Sequence, residues 1–236
     1  MVKSAEPQTI LITGANRGLG LELSRQFVAR GSDVLACARN PAAAKELQKL
    51  AHDHPGRLVI HALDVAEPAS VDRVRSAIGA RAIDVLINNA GVIGPDRQGA
   101  LDMDFAGWAY TFAVNTLGPM RMLRAFIANL RASARPRVLN LTSFMGCFST
   151  DGADHIAYRA SKAALNRAMK AAAAELAADR IAIAMAHPGW VRTAMGGPGA
   201  TLSPRYSATG LIALIDALDV EKSGRLFGPD GAEHPW

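Results

Sequence analysis

The sequence is short of the groups that would tie it to metals, disulfides or membranes. Its 236 residues hold two cysteines, Cys37 and Cys147, far apart and in no CxxC or Cys/His cluster. The spacing leaves a disulfide open, but the plain reading is two reduced thiols in a cytoplasmic protein. Neither His155 nor His187 stands in a metal-ligand spacing such as HExxH, and no metal is expected. The apolar runs ILIT, VLACA, VLINNAGVIG and IAIAMA fall far short of the roughly 20 residues that a membrane helix needs. The start, MVKSAEPQTILITG, lacks the long apolar core and cleavage site of a signal peptide. Lysines and arginines give a net charge of +5 but form no block and have no interleaved aromatics. A nucleic-acid surface is therefore not expected, and a smaller use of positive charge, on a phosphorylated ligand, fits better.

What is present is an alternation. Half of the residues are hydrophobic, and short β-rich runs take turns with helix-like segments. QTILITG reads as a strand, with a helix over Leu19 to Arg30. DVLACAR is followed by the helical PAAAKELQKLAHDH, RLVIHALDV by ASVDRVRSAIGA, and IDVLINNAG is a fourth strand. Phe105 to Ala132 reads as a long helix that Gly118–Pro119 should kink or divide. RVLNLTS is strand five, Ala157 to Ala178 an Ala-rich helix, RIAIAMAHPG strand six and Ser207 to Leu218 a further helix. GRLFG is a short last edge strand. The strands are continuously apolar, as when helices cover both faces of a sheet. Strand–helix alternation predicts a doubly wound, Rossmann-like parallel sheet of about seven strands, in the order 3-2-1-4-5-6-7. No linker or repeat divides the chain, so residues 1–236 are expected to form one domain. Ligands of such sheets bind beyond the carboxyl ends of the strands, and the residues with chemistry fall there.

The first strand ends in TGANRGLG, with Gly14, Gly18 and Gly20 around Asn16, Arg17 and Leu19. A glycine turn running into a helix lets the backbone approach a pyrophosphate and offers free N–H groups at a positive dipole end. The spacing differs from G-x-G-x-x-G, and an ordinary strand-to-helix turn is the competing reading. The third strand ends in Asp64–Val65, where the carboxylate can accept a bond from an adenine amino group. The fourth ends in NNAG, Asn88 to Gly91, where Asn89, Ala90 and Gly91 leave space beside a sugar.

Taken in this order and at this spacing, TGANRGLG, Asp64–Val65 and NNAG resemble the short-chain dehydrogenase/reductase family, over essentially the whole chain. The resemblance implies a nicotinamide cofactor. At the end of strand two, Ala38 stands where an NAD-type carboxylate is expected, and Arg39 follows. With Arg17 in the glycine turn, two guanidinium groups and no acid favour the 2′-phosphate of NADP(H) over NAD(H).

Tyr158 and Lys162, in AYRASKAAL, sit one helical turn apart on one face. A tyrosine's ordinary pKa of ~10 is too high for a base near neutrality, and a nearby ammonium should lower it. Ser143, ending LNLTS, can hydrogen-bond a substrate oxygen and stabilise its developing charge. Asn115 completes the resemblance to the family's tetrad, in which its main chain holds a water linking lysine to solvent. Tyr158 is thus the expected general acid of reduction and base of oxidation, tuned by Lys162, which also binds nicotinamide ribose. In HPGWVRT, Pro188–Gly189 makes a turn, and the Val191 backbone and Thr193 hydroxyl resemble the family's carboxamide and phosphate contacts. His155 and His187 read as ordinary loop or turn residues, and Cys147 as a bystander.

Three loops, 92–105, 144–156 and 194–206, should form the substrate wall, with Phe144, Met145, Phe148, Trp190 and Met195 as its apolar lining. The Gly/Pro-rich 194–206 segment reads as a mobile lid. The stretch HPGWVRTAMGGPGATLSP, with the terminal DGAEHPW, resembles the sniffer- and C-factor-like branch of carbonyl reductases, which implies an aldehyde, ketone or quinone substrate. The competing functions are an NADP(H)-binding sensor or signalling protein with little turnover and a nucleotide-sugar epimerase. The family resemblance implies a homodimer or homotetramer, although monomers also occur in the branch.

Overall fold

The computed structural model describes residues 7–236; the first six residues, on which part of the signal-peptide reading rests, lie outside them. The chain begins with β1 (Thr9–Ile12), α1 (Gly18–Ala29), β2 (Asp33–Ala38), α2 (Lys45–Asp53), β3 (Leu58–Ala62), α3 (Pro68–Ile78) and β4 (Val85–Asn88). A two-residue hairpin follows, β5 (Gln98–Gly99) with β6 (Asp102–Met103), then α4 (Phe105–Phe112), α5 (Gly118–Ala125), α6 (Ile127–Arg131) and β7 (Arg137–Leu141). The remainder is α7 (Ile156–Glu175), β8 (Ala182–Ala186), α8 (Pro204–Ala217), β9 (Leu226–Phe227) and β10 (Glu233–His234). The main sheet has the order β10-β9-β8-β7-β4-β1-β2-β3. Every pairing in it is parallel except that of β9 with β10.

This is the expected doubly wound sheet with an eighth strand. The GRLFG segment is not the edge, because β10 pairs outside it in antiparallel sense. Strand alternation distributes the core: Ile10 and Ile12 of β1 face Leu23, Phe27, Leu211 and Ile215 of α1 and α8. Leu11 faces the other way, with Met122, Phe126, Leu165 and Met169 of α5 and α7 and their neighbours.

The predicted long helix over 105–132 is broken. Asp104 caps α4 by accepting from the Gly107 N–H at 2.9 Å, and a π-helical turn over Ala113–Leu117 separates it from α5. Pro119 lies in the first turn of α5, where its missing N–H costs nothing. A second break falls at Phe126. Further helix boundaries move, and α8 begins at Pro204 rather than Ser207. Pro41–Ala43 is a short 3-10 turn before α2, and α7 stops at Glu175. The order of strands reverses between β1 and β4, which opens a crevice at their carboxyl ends.

Candidate active site

A cleft of about 1090 Å³ opens at that reversal. Its lining joins segments far apart in sequence: the glycine turn, the ends of β2, β3 and β4, the segment after β7, the start of α7 and the loop after β8.

The glycine turn is shaped by contacts that exclude side chains. Gly14 has φ +68, and a Cβ there would lie 2.9 Å from the Ala90 Cα. Gly20 is tighter, since a Cβ would stand 2.3 Å from the Gly14 carbonyl oxygen and 2.5 Å from Asn89 Nδ2. Gly20 is absent from the cleft lining, and its part is this close packing of helix on turn. Asn89 ties the turn to β4: its amide donates to the Thr13 and Gly14 carbonyls at 2.8 and 2.9 Å. The Thr13 hydroxyl accepts from the Asn89 and Ala90 N–H groups, each at 3.0 Å. Thr13 is a residue that sequence reasoning missed, although it stands beside the first glycine of the quoted motif.

Gly14, Asn16, Arg17, Gly18, Leu19, Arg39, Asp64, Val65, Asn89, Ala90, Gly91, Pro188, Gly189, Val191 and Thr193 all line the cleft. Thr193 closes onto the glycine turn, within 3.2 Å of where a Gly18 Cβ would be. Arg17 stands extended at the start of α1. Arg39 reaches Tyr110, donating to its hydroxyl at 3.0 Å, and nothing in the sequence pointed to Tyr110. Asp64 Oδ1 accepts from the Ala66 N–H at 2.9 Å. Among the described residues, Asp64 and Asp154 are the only acids lining the cleft, and neither stands at the end of β2. The narrow glycine cradle at the start of α1 fits the pyrophosphate of a dinucleotide.

At the other end, Ser143, Tyr158 and Lys162 converge on the cleft. Ser143 Oγ accepts from the Met145 N–H at 3.1 Å, at the head of a 3-10 turn. Lys162 is buried and donates to the Leu141 carbonyl at 2.8 Å. Burial pushes Lys162 down to about 8. It pushes Tyr158 up, against a smaller pull in the other direction from the neighbouring Ser143 hydroxyl. The expectation that Lys162 holds Tyr158 low is therefore not met by the protein groups alone, because desolvation disfavours the charge on both.

Asn115 lies in the π-helical turn, deep behind Gly91. Its side chain is fully engaged: Oδ1 accepts from the Val92 N–H at 2.9 Å, and Nδ2 donates to the Val92 carbonyl at 2.8 Å and to Ser161 Oγ at 3.0 Å. Any relay through Asn115 thus falls to its main chain.

Of the expected apolar wall, Phe144, Met145, Trp190 and Met195 line the cleft. Phe148 does not; it is 93% exposed, because the 3-10 turn over Phe144–Gly146 directs the chain outward before it. Both histidines set aside on sequence prove to be cleft residues. His187 is buried, stacks on Phe144 at 3.6 Å between ring centres and meets His234 of β10 at 5.1 Å. Burial, followed by the nearby His234, pushes it down to about 4 against a weaker opposing pull from Asp230. Cys147 is buried and its thiol pushed up by burial, and Cys37 likewise to about 12, so neither is poised as a nucleophile. Among the described residues no cluster of metal ligands occurs, and no helix is long and apolar enough to cross a membrane.

This is the cleft of a nicotinamide-dependent oxidoreductase. The family model described as short chain dehydrogenase matches residues 8–201, and the chain belongs to that family. It is 47% identical over 157 residues to the C-signal of Myxococcus xanthus, covering 65% of this chain and 93% of that protein. Its fold is similar to the NADPH-bound carbonyl reductase from chicken fatty liver, at a TM-score of 0.92 and 29% identity, over 98% of this chain and 100% of that one. The carbonyl reductase Sniffer of D. melanogaster superposes with a TM-score of 0.90 at 30% identity, with the same coverage.

Proposed function

We propose that the protein is an NADP(H)-dependent carbonyl reductase in which Tyr158 is the proton donor. The observation that carries the reading is the meeting of Ser143, Tyr158 and Lys162 in one cleft with the glycine turn, Arg17 and Arg39. NADP(H), when bound, supplies the hydride. Arg17 and Arg39 hold its 2′-phosphate, while Gly14, Gly18 and the start of α1 receive the pyrophosphate. The Ser143 hydroxyl orients the carbonyl and stabilises the charge that develops on its oxygen. Tyr158 delivers the proton to that oxygen, and in the reverse direction its phenolate takes it back. Lys162, anchored on Leu141, keeps a positive charge under the phenol. Asn115, its side chain locked on Val92 and Ser161, holds the backbone through which protons reach Lys162. The walls formed by Phe144, Met145, Trp190 and Met195 suit an aldehyde, ketone or quinone with an apolar frame. The 194–206 segment closes over it as a lid.

A panel of aldehydes, ketones and quinones with NADPH and NADH, followed by cofactor absorbance, tests this. Turnover with NADPH and a clear preference for it over NADH is expected. The similarity to a protein named C-signal favours one second reading, a binding or signalling role with little turnover. Inertness toward the whole panel, with tight NADPH binding retained, selects that reading instead.

A further inference from the structure

One polar assembly in the cleft has no task in the proton chemistry. His155 lines the cleft three residues ahead of Tyr158. Its backbone is left-handed, φ 53 and ψ 45, one of two such non-glycine positions among the described residues. Observed outliers of this kind gather at functional sites, because the surrounding structure must hold them there. His155 occupies the N-cap of α7, yet its side chain caps nothing. Instead its Nδ1 lies 2.9 Å from Asp154 Oδ2. Asp154 Oδ1 in turn accepts from Arg159 Nη2 at 2.7 Å and Nε at 3.3 Å, and Arg159 Nε also donates to the Asp154 carbonyl at 2.8 Å. Both carboxylate oxygens are thereby engaged, and Arg159, then His155, hold the Asp154 carboxyl down at about 2.

This chain fixes the imidazole. With Nδ1–H given to the carboxylate, Nε2 is the ring's remaining polar atom, and the side chain is 41% exposed. The negative charge of Asp154 is compensated by Arg159, so the assembly does not repel an oxygen-bearing group. The same cleft is lined by the apolar side chains of Phe144, Met145, Trp190 and Met195. A polar group offered by an otherwise apolar wall is how such sites fix the orientation of a ligand.

We propose that His155, held by Asp154 and Arg159, is a specificity-determining residue whose Nε2 accepts a hydrogen bond from a second oxygen function, a hydroxyl, on the substrate. The reacting carbonyl meanwhile sits at Ser143 and Tyr158. This rests on the reading of the cleft as a carbonyl reductase site.

The test compares benzaldehyde, 4-(hydroxymethyl)benzaldehyde and 4-carboxybenzaldehyde as substrates of the NADPH-loaded enzyme. His155→Gly is the informative variant, because glycine adopts the left-handed backbone freely and only the ring is removed. One lost hydrogen bond should lower kcat/KM for 4-(hydroxymethyl)benzaldehyde about tenfold further than for benzaldehyde, mainly through KM. 4-Carboxybenzaldehyde, whose carboxylate has no proton to give Nε2, should fall no further than benzaldehyde, and an extra loss confined to it would overturn the proposal. Asp154→Asn, which keeps the ring but loosens its anchor, should give a smaller loss in the same direction. An equal fall for all three aldehydes in His155→Gly would make the residue merely structural and overturn the proposal. Wild-type enzyme that reduces other carbonyls of the panel but none of these three would overturn this inference alone, whereas inertness toward the whole panel would overturn the reductase reading with it.

Discussion

Lys162 Nζ stands 5.8 Å from the centre of the Tyr158 ring and spends a hydrogen bond on the Leu141 carbonyl, not on the phenol. The two groups are shifted in opposite directions by the same cause. Burial moves Lys162 down to about 8 and Tyr158 up, because it penalises the charged form of each. The site thus stores an electrostatic cost in the buried Lys162 ammonium.

That cost is measurable as stability. The folded-state pKa of Lys162 lies below its unfolded value, so the unfolded chain binds more protons between about pH 8 and the ordinary lysine range near 10.5. Stability from this group therefore rises with pH through that window, and the penalty below it is about 3 kcal/mol. Lys162→Met removes the penalty but also the bond to Leu141, which offsets part of the gain. The variant should be about 1 kcal/mol more stable than wild type at pH 7 in urea unfolding without cofactor, and the advantage should vanish by pH 10. Its reductase activity should be lost.

Arg39 extends across the cleft edge to Tyr110 and meets no carboxylate there. Arg39→Ala should raise the KM for NADPH at least tenfold while leaving that for NADH nearly unmoved, since a charge-assisted pair contributes about 1.5–3 kcal/mol. Steady-state kinetics with both cofactors checks this. Equal effects on the two would assign Arg39 to some other contact.

His187 gives the protein an acid limit. Its Nδ1 accepts from the Gly189 N–H at 3.2 Å, so the neutral ring carries its proton on Nε2, which is buried without a partner. Its pKa is about 4 in the fold against 6.5 ordinarily. Above pH 6.5 the group is neutral in both states and the fold loses nothing. As pH falls from 6.5 to 4 the unfolded chain takes up a proton that the native state refuses, which costs about 3 kcal/mol. Unfolding free energies measured over this range should fall more steeply for wild type than for His187→Asn.

Much of this was legible from patterns that depend on local chemistry. Apolar strands separated by helices, a glycine turn, NNAG and the Tyr158–Lys162 spacing led to the sheet order and to the residues of the cleft. Contacts made across long stretches of sequence were not legible. The antiparallel β10 depends on Glu233–Phe227 register rather than on a strand-like run, and through it His234 reaches Phe144 at 4.8 Å. The π-helical turn at Asn115 arises within a segment whose composition reads as plain helix. His155 and His187 carry no spacing motif, and only the fold places their rings against the cleft. Phe148 was misread because an aromatic in a substrate loop was taken to face inward, whereas the turn before it points it to solvent.

The central claim is that Tyr158 gives the proton. Replacing it with phenylalanine removes one oxygen from a side chain that is only 8% exposed, so the packing of α7 is preserved. On a carbonyl that the wild-type enzyme reduces with NADPH, Tyr158→Phe should lower kcat by about 10²–10⁴-fold, while NADPH binding measured by fluorescence changes less than about threefold. A variant that retains wild-type kcat would contradict the account.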